Sequence, residues 1–150
     1  MTMKAILVPV EDHEGAQSVL ASALVFSGRF GSYLEAVSTL PVIDNYIVGE
    51  MVPLWPPNQR SASDTSREAQ EAFRLAMEAA GLPQRERATP GQACWGLREQ
   101  PLMGDSAVAA HARVFDVTVV GRPSGSTAGP RLSLLEAVVF ESGRPILIAP

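Results

Sequence analysis

Cysteine is nearly absent: Cys94 is the only one among 150 residues. One thiol excludes an internal disulfide and fits a reducing, cytoplasmic setting. It lies between Ala93 and Trp95 with no cationic neighbour, so it reads as a packed strand residue and not a reactive thiol. Long apolar runs are missing too. None approaches the ~20 residues of a membrane span. The run from Ala5 to Val10 is too short for a signal peptide and reads as a buried strand. Basic charge is sparse: 12 Lys and Arg, in no cluster, face 16 Asp and Glu, and the net charge is −4. With a pI near 5.1 there is no basic face for a phosphate backbone, which argues against nucleic acid as a partner. Histidine is limited to His13 and His111. No Ser–His–Asp or Cys–His pairing and no zinc-ligand spacing is present. His13 reads as a solvated turn residue and His111 as a helix-surface residue.

What remains is the composition of one globular domain over residues 1–150, 46% hydrophobic and 19% charged. Lys4–Val10 is a continuous apolar run, as expected of a central parallel strand. Val19, Leu20, Ala23, Phe26 and Phe30 repeat at helical spacing, and Gly31 stops that helix. Tyr33–Thr39 is a second strand. Residues 41–60 are Pro-rich and irregular, and carry Trp55. A helix over about 63–80 follows, with a stripe of Ala69, Ala72, Phe73, Ala76, Met77 and Ala80. Ala93–Glu99 reads as a weak third strand with Trp95 in the core. Asp105 is expected to cap a third helix whose Val108, Ala112 and Phe115 face inward. Val117–Val120, a helix opening at Ser133 and Pro145–Ala149 complete a βαβαβαβαβ order. That order implies an α/β, doubly wound parallel sheet with helices on both faces. Ligands in such sheets sit at the carboxyl ends of strands, where the strand order reverses.

The stretch after Val120 has the form that holds a phosphate. Gly121 is followed by the small-residue loop Arg122-Pro123-Ser124-Gly125-Ser126-Thr127-Ala128-Gly129-Pro130 and then a helix N-terminus. Unpaired backbone N–H groups and the helix dipole favour an anion there. Each element also has a plain explanation. Ser133 could touch a ligand, or form a capping box with Glu136. Gly125 and Gly129 could make an anion nest, or only a surface loop. Arg122 could fork onto phosphate, or be solvated. Glu11 and Asp12 could accept ribose hydroxyls, or merely favour the start of the first helix. Trp55 could be a lid or a contact with a second domain, and the contact is the preferred reading.

Ile6-Leu7-Val8-Pro9-Val10 with Glu11-Asp12, Asp116-Val117-Thr118-Val119-Val120-Gly121 and Gly143-Arg144-Pro145-Ile146-Leu147-Ile148 together resemble the universal stress protein family. The likeness runs from Lys4 to Ala149, with 41–60 in the family's variable region. It implies a five-stranded sheet in the order 3-2-1-4-5 and dimers that often pair through the last strand. Glu141-Ser142-Gly143-Arg144-Pro145 looks most like members built as tandem repeats, of which this chain would be one half, the first. Many members bind ATP through an acidic residue after the first strand and a Gly-x-x-Gly loop that ends in Gly-Ser or Gly-Thr. Gly121 and Pro9 match. Thr39 lies where the adenine pocket would be. Ser124 stands at the second glycine, Glu11 replaces Asp, and Leu132-Ser133 stands at the Gly-Ser pair of a loop two residues short. The candidate ligand residues are therefore Pro9, Glu11, Thr39, Gly121, Arg122, Ser124, Gly125 and Ser133, with ATP or AMP as the possible ligand. The broken loop favours a non-catalytic domain that works by pairing, as a homodimer or with a second repeat, through Trp55, Ile146, Leu147 and Ile148. The alternative is a sensor binding adenine nucleotide or another anion. A hydrolase using Glu11 is a third, weaker reading, for want of a second catalytic group.

Overall fold

The structure is a computed structural model; it describes residues 3–40, 62–125 and 129–150. Trp55 and the whole 41–60 segment therefore lie outside the described residues. The element order is β1 (Ala5–Val10), α1 (Ala16–Phe30), β2 (Tyr33–Leu40), α2 (Ala62–Ala79), β3 (Cys94–Leu97), β4 (Leu102–Met103), α3 (Asp105–Ala112), β5 (Val117–Gly121), α4 (Leu132–Glu141) and β6 (Ile146–Ala149). The main sheet runs β3-β2-β1-β5-β6, and its neighbouring strands all pair parallel. This is the expected order, with one strand added. The expected strand over 93–99 is shorter, and its line resumes as β4, where Leu102 pairs with Thr39 of β2. Pro101 lies in the gap and has no N–H to donate to a ladder. Arg98 still donates its N–H to Ala36.

The two faces bury different sets. On one, Ile6, Val8, Leu34 and Ala36 meet Val19 and Ala23 of α1 and Ala69, Phe73 and Met77 of α2. Trp95 belongs to this core, with its ring edge-on to Phe73 at 5.8 Å and its Nε1–H donated to the Leu82 carbonyl. On the other face, Leu7 and Val37 meet Val108, Ala112 and Phe115 below α3, and Leu134 and Val138 of α4. Alternate residues of β1 and β2 thus supply both cores, as the period of a strand requires. The α2 stripe is narrower than the sequence suggests, because Ala72 and Ala80 are exposed. Cys94 is a buried free thiol. Gly31 ends α1 with φ 62°, and a Cβ there would lie 2.7 Å from the Gly91 backbone.

Two cap expectations are corrected. Gly104, not Asp105, is the N-cap of α3, and Asp105 is its first helical residue. Arg131 is the N-cap of α4, so Ser133 sits inside the first turn. Both side chains at the expected caps are one or two residues too far along the helix to reach the free N–H groups.

β6 pairs only with β5 among the described residues, and so forms an edge. Thr118 N–H donates to Pro145 and Arg122 N–H to Ala149. That phase turns the backbone of Leu147 toward β5 and leaves the backbone groups of Ile146 and Ile148 facing outward. Ile146 and Leu147 are half-buried, and Ile148 is 48% exposed. No helix among the described residues is long and apolar enough to cross a membrane.

Candidate functional site

β1 has β2 on one side and β5 on the other, so the strand order reverses at β1. The chain beyond its carboxyl end, Glu11-Asp12-His13, opens into two adjoining hollows. The narrower, of about 430 Å³, is lined by Pro9, Glu11, His13, Leu20 and Ala69 among others. The wider, of about 890 Å³ with its open mouth, is lined by Glu11, Asp12, His13, Thr39, Ser66 and Arg131 among others. Three of the sequence candidates, Pro9, Glu11 and Thr39, are thereby brought together.

Arg131 is the feature the sequence reading missed. Its Nε donates to Glu11 Oε1, and its Nη1 lies 2.8 Å from Asp105 Oδ1. One guanidinium thus ties the end of β1 to the starts of α3 and α4. Both carboxylates are largely covered, with side-chain exposures of 14% for Glu11 and 18% for Asp105. A cation at a helix N-cap opposes the helix dipole. Its presence there calls for nearby carboxylates, and that mismatch was the available signal in the sequence.

Two residues that line the wider hollow each hold a buried polar atom without a hydrogen-bond partner among the described residues: His13 Nδ1 and Thr39 Oγ1. Buried polar atoms are nearly always satisfied by protein or water, so each calls for an explanation. His13 is half-buried and not the solvated residue expected. Its ring lies against the backbone of Gly15 and Gly121, beside Pro130. Burial lowers its pKa below the ordinary value, against the opposing fields of Glu11 and Asp12. The imidazole therefore favours its neutral form, with one nitrogen free to accept.

Of the described loop residues, Gly129 lines the wider hollow, whereas Arg122, Ser124 and Gly125 do not. The Pro130 ring covers Gly121: a Cβ on Gly121 would lie 2.4 Å from Pro130 Cγ. The close backbone approach expected of Gly121 is thus taken by a proline ring. Arg122 and Ser124 line another hollow, with Glu14, Gly15, Pro123, Pro130 and Pro150, which shares Gly129 with the wider one. Gly125 has φ 73° in the exposed loop. Ser133 and Leu132 are exposed and line neither crevice hollow. Leu132 therefore does not block the crevice.

A second polar cluster sits on the α3 face of β2. His111 Nε2 lies 2.7 Å from Glu35 Oε1, and the Tyr33 hydroxyl donates to Glu35 Oε2 at 3.3 Å. His111 is thus a partner of the sheet, not a free surface residue. Its hydrogen bond holds the Glu35 carboxyl below the ordinary range. Burial, with the Glu35 charge, pushes the Tyr33 hydroxyl well up. Among the described residues no group of three His, Cys, Asp or Glu side chains could hold a metal ion.

Universal stress protein UspA from Lactobacillus plantarum is 16% identical over 100% of this chain and 99% of its own, with a TM-score of 0.63. A universal stress protein solved in complex with cAMP gives the same figures. The universal stress protein from Archaeoglobus fulgidus, in complex with dAMP, is 13% identical over 99% of this chain and 98% of that chain, with a TM-score of 0.58. No protein-family model and no curated protein matches this chain. The fold is that of the universal stress proteins, over the whole length.

Proposed function

We propose that this domain is a non-catalytic sensor that binds an adenosine-type ligand in the crevice beyond β1. The observation that carries the reading is that His13 and Thr39, each with a buried polar atom unpartnered among the described residues, line the hollow that Glu11 also lines. A base edge and a ribose offer the donors and acceptors these groups lack. Two proteins of the same fold were solved with cAMP and dAMP, which supports an adenine-containing ligand. ATP fits poorly, because Pro130 occupies the approach to Gly121, and Arg122 and Ser124 line neither crevice hollow. Glu11, the carboxylate a hydrolase would use, is engaged by Arg131.

The test is calorimetry with adenosine, AMP and ATP, repeated with Thr39→Val. Adenosine should bind with a dissociation constant in the micromolar range, ATP at least ten-fold more weakly, and Thr39→Val should weaken adenosine about ten-fold, as expected for one buried hydrogen bond. No binding of adenosine or AMP up to millimolar concentration would overturn the reading.

A second reading, assembly through the β6 edge, is favoured by a separate observation. Phe140 is 81% exposed, and Val139 and Ile148 are also exposed. Val139 and Phe140 belong to α4 and only Ile148 to β6, whose unpaired strand edge is a liability unless it is paired or covered. A second copy, or a second repeat of a longer chain, would cover it. Sensing and pairing are compatible within one domain.

A further inference from the structure

We propose that His111 is a modification site: a carboxylate-backed nucleophile whose Nδ1 accepts a phosphoryl group from a small phosphoryl donor. The site lies on α3 over β2 and is independent of the adenosine reading of the crevice.

The tautomer of the ring follows from its partner. His111 Nε2 lies 2.7 Å from Glu35 Oε1. That contact holds the Glu35 carboxyl below the ordinary range, so at neutral pH it is ionised and can only accept. Nε2 therefore carries the proton, and in the neutral ring the lone pair sits on Nδ1. Nδ1 makes no hydrogen bond among the described residues and, unlike His13 Nδ1, is not a buried unpartnered atom. With the side chain 22% exposed, Nδ1 is the nitrogen left to solvent. Two contacts fix the ring plane: Glu35 at Nε2, and the buried Phe115, whose ring is edge-on at 5.2 Å. The Tyr33 hydroxyl donates to Glu35 Oε2 and holds the carboxylate in turn.

An imidazole oriented by a carboxylate, with its other nitrogen open, is an activated nucleophile. The Nδ1 lone pair attacks phosphorus, the bond from phosphorus to the leaving atom breaks, and that electron pair departs with the leaving group. The ring becomes cationic. Its Nε2–H stays on the Glu35 carboxylate, which offsets the new charge. Competing roles are poorly supplied. Cys94, the only thiol, is buried, and among the described residues no group of three His, Cys, Asp or Glu could hold a metal ion at Nδ1. A pair that served packing alone would do the opposite: a bonded, largely covered ring would react more slowly than a free one.

The probe is phosphoramidate, with ammonia as the leaving group, read by phosphorus NMR and peptide mass spectrometry. Wild type, His111→Gln and Glu35→Gln are compared with N-acetylhistidine. His111 of the wild type should be phosphorylated at Nδ1 at least about ten-fold faster than N-acetylhistidine, and His13 more slowly than either. His111→Gln should remove the fast label. Glu35→Gln, shown folded by circular dichroism, should bring His111 to within about three-fold of N-acetylhistidine, because the ring loses the charge that offsets its own. Wild-type His111 that reacts no faster than N-acetylhistidine, or at Nε2, overturns the inference whether or not the variants fold. So does a folded Glu35→Gln that keeps the wild-type rate. None of these outcomes bears on adenosine binding.

Discussion

Replacing Glu35 by Gln removes one charge and keeps the shape. Glu35 accepts from Tyr33 at 3.3 Å and pairs with His111 at 2.7 Å, with the Glu35 and His111 side chains about one-fifth exposed. A hydrogen bond to a charged group contributes about 1.5–3 kcal/mol net, and a neutral one about 0.5–1.5. The long Tyr33 bond adds little. Glu35→Gln should therefore cost about 1–2 kcal/mol at pH 7. With a urea slope of about 1–3 kcal/mol per molar, the unfolding midpoint should fall by about 0.5–1 M. The pH dependence has a definite sign. The carboxyl is lowered in the folded state, so its stabilisation is present above the ordinary value of 4.5 and is lost as pH falls through the lowered folded value. The gap between wild type and variant should be full at pH 7 and narrow as pH falls below 4.5. Glu78→Gln, in an exposed helix pair with Arg74, is the control and should leave the midpoint unchanged. A gap that is absent at pH 7, or as large at pH 3 as at pH 7, would refute the assignment.

Two other perturbations test the site and the edge. Gly121→Ala drives a Cβ to 2.4 Å from the Pro130 ring; such overpacking should cost about 1–3 kcal/mol, seen as a melting temperature lower by about 3–10 °C. Pro130→Ala in the same chain should recover most of that loss, and simple addition of the two losses would show that the ring does not lie on Gly121. For the β6 edge, sedimentation of the wild type should show self-association at high micromolar concentration, and Ile148→Pro, which removes an outward-facing donor, should abolish it. A wild type that remains monomeric there ends the pairing idea for this chain alone.

The fold was legible because its determinants are local and repeated. The apolar run of β1, the stripe of α1 and the glycine stop at Gly31 each state their element within a few residues. The βα alternation then leaves few topologies, and the right-handed crossover rule prunes them further. β4 escaped because a strand of only Leu102 and Met103 carries no period. It exists only because Thr39 and Leu40 of β2 extend beyond β3 and offer free backbone groups.

The caps and the crevice were less legible for a different physical reason. Asp105 and Ser133 are sound cap residues by propensity, yet each sits inside its helix, and the caps are Gly104 and Arg131. Propensity ranks what a side chain could do locally; it is silent about a carboxylate or guanidinium brought in from 26 or 120 residues away. Glu35 with His111, and Glu11 with Arg131, are both pairings of that kind. Each long side chain has several partners within reach of its own element, and only the packed sheet decides among them. One trace of the outcome was still readable. Arg131 precedes a helix where its charge opposes the dipole, and Glu11 follows a strand where water is being excluded. Two side chains that are each poorly placed alone, at opposite ends of the sequence, become well placed together at the point where the strand order reverses. A misfit of charge and helix end, taken with the topology, is therefore the sign by which such a cluster can be sought in other chains of this fold.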